Sequence, residues 1–276
     1  MVLTLRKAAL VALLTVACVQ MASATDAVSN PLIEGETWAD LKGDIIGDEP
    51  ILDDNTLFRL EAPNRAHDAA TVPVVLKQLD PARPILGATV VVDENPAPVA
   101  AEFEFSEAMA PLNFELRVRV NLYSNVRAIA RTDAGLIMDG RFVKASGGCS
   151  APATRDPEMA AQTMGQMKLR LFGPDPQLSL PKGTRREAQI MIRHPNYSGL
   201  QRNQLTQLFI PAHFIDQLDV WQGDEKLFTM TGGISVSENP VFRFEYTDNG
   251  SSDLHIRATD TEGNAFEQLL QKTAGL

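Results

Sequence analysis

The stretch NFELRVRVNLY, residues 113–123, alternates apolar and polar side chains and is the clearest indication of the fold class. Apolar side chains occupy every second position: Phe114, Leu116, Val118, Val120 and Leu122. The charged residues Glu115, Arg117 and Arg119 lie between them. Successive side chains of a β-strand point to opposite faces of its sheet. The spacing therefore predicts a half-buried antiparallel strand, with the apolar face in a core and the charged face toward solvent.

Runs with the same period lie on both sides of this stretch. They fill the first half of the chain from Thr71, and a second series begins after residue 163. The sequences TDAGL (132–136), QGDE (222–225) and TEGN (261–264) separate neighbouring runs and predict hairpin turns. Short strands at this spacing are typical of β-sandwiches. We predict an all-β protein of two immunoglobulin-like β-sandwich domains joined by a flexible linker that carries a cysteine.

The N-terminus has the pattern of an export signal. Basic residues at positions 6 and 7 precede an apolar run, Ala8–Val19, and the sequence ASA ends at Ala24. A basic start, an apolar segment too short to span a bilayer comfortably, and an A-x-A site are typical of a secretory signal peptide. We predict cleavage after Ala24 and no membrane attachment afterwards. Whether Cys18 is a lipidation site stays open.

These patterns divide the chain into four predicted segments. They are a signal peptide (1–24), a first β-sandwich (25–145), a Gly-Gly-Cys linker (146–163) and a second β-sandwich (164–276).

The chain is acidic. Its 276 residues include 35 Asp and Glu against 25 Lys and Arg, a net charge of −10, and the predicted signal peptide contributes only basic residues. A negative protein is repelled by phosphate backbones and by anionic lipid. The charge therefore argues against nucleic acid and anionic membranes as partners.

Cys149 is predicted to be the single cysteine of the mature chain, because Cys18 lies in the signal peptide. Exported proteins normally pair their cysteines, so a lone one indicates a free reactive thiol or an intermolecular disulfide. Gly147 and Gly148 precede it, and small residues follow it in SAPAT, 150–154. This composition is typical of a solvated connector. We expect an exposed thiol; the alternative is a buried cysteine packed as a small hydrophobe.

No pattern for conventional catalysis is present. The four histidines, His67, His194, His213 and His255, lack the spacing of a metal site. No G-x-S-x-G, phosphate-binding loop, dinucleotide fingerprint or H-E-x-x-H motif occurs. We predict no catalytic residue, no metal site and no cofactor, and we expect His194 and His213 to be structural or solvent-facing. The thiol remains as the candidate for chemistry, because a cysteine on a glycine hinge could enter pockets of other proteins.

Segments of both halves resemble a known family. TVPVVLKQLDPARPILGATVVVDENPAPVAAEFEF (71–105), followed by alternating runs and GGC (147–149), is similar to SoxY. The similarity to SoxZ lies in IRHPNYSGL (192–200), IPAHFIDQLDVWQGDEKLF (210–228), SENPVFRFEY (237–246) and DLHIRATDTEGN (253–264). The chain thus resembles the sulfur-oxidation carrier SoxYZ, specifically the fused SoxYZ-like carriers associated with quinoprotein alcohol dehydrogenases.

The resemblance implies roles for three residues. SoxY ends in a Gly-Gly-Cys-Gly-Gly arm whose cysteine carries sulfur-oxidation intermediates covalently, and SoxZ is its immunoglobulin-like partner subunit. By position, Cys149 is the covalent attachment site, and Gly147 and Gly148 form the hinge of the arm. Ser150 and Ala151 stand where the last two glycines would be. The arm also continues into the second half, so it is tethered at both ends and reaches less far than a free tail.

Three functional hypotheses follow. The first is a periplasmic carrier, not an enzyme, in which Cys149 holds a small thiosulfate-type sulfur species for presentation to sulfur-oxidation enzymes. The second is a non-catalytic accessory or assembly protein of a periplasmic quinoprotein (PQQ) alcohol dehydrogenase system, in which Cys149 matters little. The third, a thiol redox enzyme, is disfavoured because the mature chain has no resolving cysteine. A mass adduct on Cys149 distinguishes the first hypothesis from the second.

Overall fold

The computed structural model describes residues 30–153, 157–173 and 182–272. The predicted signal peptide, with Cys18, lies outside the described residues, and so do residues 154–156 of the predicted linker. In the described part of the chain, no helix has the length and apolar character needed to cross a membrane.

The described part of the first half, residues 30–153, contains one α-helix and eight strands. The helix, α1, spans Glu36–Ile46. The strands are β1 Ile51–Leu52, β2 Phe58–Glu61, β3 Val72–Gln78, β4 Gly87–Val92, β5 Val99–Phe105, β6 Asn113–Val118, β7 Ser124–Thr132 and β8 Gly135–Val143. The predicted TDAGL hairpin joins β7 to β8, where Thr132 pairs with Gly135 and Gly135 has a φ of 127°. That φ is open to glycine at little cost.

The second half begins with a short helix and continues in seven described strands. The helix, α2, spans Pro157–Thr163. The strands are β9 Met167–Phe172, β10 Arg185–Ile192, β11 Ile215–Gln222, β12 Glu225–Gly232, β13 Val241–Thr247, β14 Asp253–Asp260 and β15 Ala265–Gln271. The predicted QGDE and TEGN turns join β11 to β12 and β14 to β15. A long connection, residues 193–214, separates β10 from β11 and contributes to the candidate site.

The strands form two sheets, and each sheet contains strands of both halves. One has the order β1-β8-β7-β4-β5-β12-β11-β14-β15, and the other has the order β2-β3-β6-β13-β10-β9. The halves join where β5 pairs with β12 and where β6 pairs with β13, both antiparallel. The all-β class and the sandwich arrangement are confirmed. The structure adds that the two halves share both sheets.

The first part of the opening stretch, strand β6, lies in the core that the two halves share. The alternation predicted for it holds through β6, where Phe114, Leu116 and Val118 are buried. The Phe114 ring centroid lies 4.9 Å from that of Phe103 in the first half and 5.1 Å from that of Phe228 in the second. Aromatic side chains bury large apolar areas and pack edge to face at such distances. The core therefore holds the two halves in a fixed relation around the segment that carries Cys149.

Candidate functional site

Cys149 lies in a short segment after β8, and its side chain is fully buried, at 0% exposure. We call residues 147–151 the arm segment. Two backbone hydrogen bonds attach its start to the chain after β6. The amide of Gly147 donates to the carbonyl of Asn121 at 2.8 Å, and that of Gly148 donates to the carbonyl of Val120 at 3.0 Å. The expectation of an exposed thiol is wrong for this structure, because the arm segment packs against distant parts of the chain.

Glycine is needed at positions 147 and 148 for two different structural reasons. A Cβ on Gly148 would lie 2.1 Å from the carbonyl oxygen of Ala69 and 2.7 Å from the backbone nitrogen of Val120. Only a residue without a side chain fits so close to a neighbouring backbone. Gly147 instead has a φ of 80°, in the left-handed region that favours glycine. Their predicted role as an arm hinge stays a prediction; in the structure, Gly148 permits the close packing of the arm segment.

The second half and Arg119 hold the carbonyl groups of the arm segment. The Ser198 hydroxyl donates to the carbonyl of Cys149, and the Gln201 amide donates to that of Ala151 at 3.0 Å. Nη1 of Arg119 donates to the carbonyl of Gly148 at 3.1 Å. Buried backbone groups require such partners. The arm segment is thus bound by the 193–214 connection on one side and by the chain after β6 on the other.

Arg119 does not face solvent, as the alternation predicted, but is 1% exposed. The physical reason is that β6 ends at Val118, so the two-residue period stops one position earlier. Beyond the end of the strand, the Arg119 amide donates to the carbonyl of Ser235 at 2.7 Å, and the side chain lies inside the fold. Leu122, predicted on the buried face, is 52% exposed for the same reason.

The thiol and the guanidinium influence each other electrostatically. Burial raises the pKa of Cys149, and the positive charge of Arg119 partly opposes this increase. Burial also lowers the pKa of Arg119, and the negative charges of the Cys149 thiolate, when it forms, and of Glu238 and Asp68 oppose this decrease. An arginine remains charged in a protein in spite of such a shift. Cys149 therefore rests as a neutral thiol beside a buried cation, and its nucleophilic thiolate forms readily only when the arm segment leaves this site.

A second buried polar cluster lies next to this site. Sequence spacing gave no reason to associate His194 with His213, yet both imidazoles contact Asp260. The Nε2 atoms of His194 and His213 lie 3.3 Å and 2.7 Å from Asp260 Oδ2. The side-chain amide of Asn264 also donates to Oδ2, at 2.8 Å, and the amides of Glu262 and Asn264 donate to Oδ1. The expectation that the two histidines are structural fits this arrangement.

In the described part of the chain, His194, His213 and Asp260 are also the group that could hold a metal ion. Their potential ligand atoms lie within 4.8 Å of one another. Hydrogen bonds account for their positions. Asp260 Oδ2 already accepts from both imidazoles and from Asn264. Burial opposes ionisation of Asp260, but the hydrogen bonds from Asn264 and His213 outweigh it and lower the pKa of Asp260 below its ordinary value.

Asn196 connects the histidine cluster to Arg119. Its Oδ1 lies 2.7 Å from Nδ1 of His194, and its carbonyl accepts from Nη2 of Arg119 at 3.2 Å. It is fully buried and has a φ of 41°, a left-handed conformation that asparagine tolerates better than most residues. A continuous polar path therefore runs from Asp260 through His194 and Asn196 to Arg119 and the arm segment.

Stability is expected to fall as the pH decreases from 7 to 5. Burial lowers the pKa of His194, despite the carboxylate of Asp260. Below the unfolded value of about 6.5, the unfolded chain binds a proton that the folded chain does not, so the free energy of unfolding decreases with decreasing pH. Urea denaturation at a series of pH values measures the slope. His194→Gln should flatten it in this range; an unchanged slope would assign the effect to other groups.

The two halves of the chain match two different family models. Residues 42–149 match the family model described as "Sulfur oxidation protein SoxY", and residues 178–271 match "Sulphur oxidation protein SoxZ". The first match ends at Cys149. No curated protein matches the chain.

Two solved structures show limited likeness. The sulfur carrier protein SoxY from Chlorobium limicola f thiosulfatophilum is 23% identical, with 40% of this chain and 97% of that chain covered and a TM-score of 0.34. A beta-glycosidase from Bacteroides vulgatus is 10% identical, with 78% and 25% covered and a TM-score of 0.23. Both TM-scores are too low to inform on function.

Proposed function

Since the chain joins a SoxY domain and a SoxZ domain in one SoxYZ-like sulfur carrier, we propose that Cys149 is its point of covalent attachment. In this proposal the thiol holds a thiosulfate-type intermediate of sulfur oxidation in the periplasm and presents it to partner enzymes. The main support is the position of Cys149. It is the last residue of the SoxY match, and it directly follows the glycine pair Gly147 and Gly148.

The attachment chemistry requires an oxidising partner. A disulfide-type bond forms between Sγ of Cys149 and the outer sulfur of thiosulfate, while the thiol loses its proton and two electrons leave the pair. An electron-accepting enzyme of the sulfur-oxidation system is proposed to take these electrons. Because the resting thiol is buried and its pKa is raised, the arm segment has to leave its site before the bond to thiosulfate forms.

The burial of Cys149 also supports a second candidate function. A thiol that is enclosed and neutral could be a packed side chain, and the shared sheets could present a surface to a partner protein. The chain would then be an accessory or assembly protein of a quinoprotein (PQQ) dehydrogenase system. In that case Cys149→Ser, which changes little volume, should leave function intact.

Intact mass of the protein purified from its native periplasm without reductant tests the carrier proposal. We expect a reductant-labile increase in mass that maps to Cys149, and its complete loss in Cys149→Ser together with thiosulfate-dependent respiration. Ser146→Ala, a change at an exposed position just outside the arm segment, is the matched control and should retain both. A free thiol after growth on thiosulfate, with normal respiration in Cys149→Ser, would refute the carrier function and favour the accessory protein.

A further inference from the structure

We propose that Arg119 and Asn196 form an anion-binding site that holds the sulfonate end of a cargo on Cys149 while the arm segment is in its buried position. The inference rests on the carrier function proposed above and assigns two residues to the recognition of the cargo. Its consequence is that a loaded arm carrying a negative charge is held more firmly than an arm carrying a neutral group.

Arg119 differs from the other buried arginines of the described chain. Arg127, Arg141 and Arg186 each contact a carboxylate at 2.8–2.9 Å, namely Asp93, Asp139 and Asp248. Arg119 is the most deeply buried of the four, and no described carboxylate lies within ion-pair distance of it. A buried charge is expensive unless it is paired. Arg119 is therefore a buried cation that has no paired carboxylate among the described residues.

Two buried hydrogen-bond donors at this position have no partner among the described residues. They are Nε of Arg119 and Nδ2 of Asn196. Arg119 uses its Nη atoms to bind the carbonyls of Gly148 and Asn196, so the guanidinium lies between the arm segment and the backbone of Asn196. A buried donor without an acceptor destabilises the fold, and more so when it is charged. Such an unpaired group in a native fold calls for an explanation, for example a bound water or ion or a functional role.

A sulfonate on Cys149 would supply the negative charge and the hydrogen-bond acceptors that Arg119 and Asn196 lack. It carries one negative charge and three acceptor oxygens, so it would neutralise Arg119 and accept from both unpaired donors. Charge-assisted hydrogen bonds of this kind are stronger than neutral ones. Glu238 and Asp68 stabilise the Arg119 charge only from beyond ion-pair distance, so they do not already fill this place. A neutral methyl disulfide offers Arg119 no such compensation.

The test compares an anionic with a neutral adduct on the full chain. Tetrathionate loads the anionic group: the Cys149 thiolate attacks an inner sulfur, the central S–S bond breaks, and thiosulfate leaves with the electron pair. Methyl methanethiosulfonate loads a neutral methylthio group and releases methanesulfinate. A neutral phosphine then removes each adduct, and intact mass gives the two removal rates. Their ratio, anionic to neutral, cancels a general loosening of the arm segment.

Arg119→Gln is expected to raise this ratio about tenfold, since a charge-assisted hydrogen bond is worth roughly 1.5 kcal/mol. Asn196→Asp provides a second variant if Arg119→Gln does not fold. It keeps the size and the left-handed backbone of Asn196 but replaces the unpaired donor by a negative oxygen. An unchanged ratio in the folded variants would overturn the anion-binding site. Because the adducts are loaded chemically, this result is independent of whether the native protein carries sulfur.

Discussion

Gly148→Ala is expected to expose Cys149 and to increase its rate of alkylation about 100-fold. The new Cβ would lie 2.1 Å from the Ala69 carbonyl oxygen and 2.7 Å from backbone atoms of Val120, none of which is part of a flexible side chain. Overpacking of this kind costs roughly 3 kcal/mol, and each 1.4 kcal/mol is a factor of ten in an equilibrium. The arm segment can relieve the clash by leaving its site, which makes the thiol accessible.

Iodoacetamide labelling followed by intact mass measures this rate under native conditions. Ser146→Ala is the matched control, because Ser146 is exposed and lies two residues away. It should label as slowly as the parent protein. If Gly148→Ala also labels slowly and its free energy of unfolding is unchanged, the space around Gly148 is larger in solution than in the structure. If the parent protein labels as fast as a free thiol, Cys149 is not buried in solution.

Asp260→Ala is expected to be the most destabilising of the substitutions considered, by about 3–5 kcal/mol. The substitution removes the acceptor of both imidazoles and leaves the donors of Glu262 and Asn264 without their partner. Two consequences follow, because the polar path from Asp260 reaches Arg119 through His194 and Asn196. The free energy of unfolding should decrease, and Cys149 should become more reactive at the same time.

Chemical denaturation gives the first quantity, as a decrease in the midpoint concentration, and alkylation of Cys149 in folded protein gives the second. Asp53→Ala removes an exposed carboxylate and should change neither. Loss of stability without a change in thiol reactivity would show that the histidine cluster and the arm segment are energetically separate. A loss below 1 kcal/mol would show that the hydrogen bonds to Asp260 are replaced after the substitution.

The strand pattern was predictable because alternation is a local property. Phe114, Leu116 and Val118 lie in the core, as their spacing indicates. The prediction that Arg119 faces solvent was wrong because periodicity does not show where a strand ends. One residue beyond the end of β6, the side chain is free to turn inward. Arg119 is also the residue that matters most for the proposed cargo site. The sequence carries a weak hint of it, because an arginine among valines is compatible with either face.

The burial of Cys149 was not predictable from its neighbours. Small residues around a cysteine are typical of solvated linkers, but they are equally suited to close packing once another backbone approaches. Gly148 illustrates this: the atoms that exclude a Cβ belong to Ala69 and Val120. Ser198, which binds the Cys149 carbonyl, is 49 residues away. None of these contacts can be inferred from the composition of residues 146–154.

By itself, the sequence determined the all-β class, the hairpin turns, the resemblance to SoxY and SoxZ and the identity of the candidate cysteine. Each of these depends on residue type and local spacing, which alternation, turn chemistry and motif order express directly. Only the tertiary structure decided that the halves share both sheets, that Cys149 is enclosed, and that a polar path from His194 through Asn196 and Arg119 reaches the arm segment. These features arise from contacts between segments far apart in the chain, as between Phe105 and Phe228 where the halves join, and between Arg119 and Asn196, which are 77 residues apart. Such contacts are selected by the packing free energy of the whole chain, which no local pattern records.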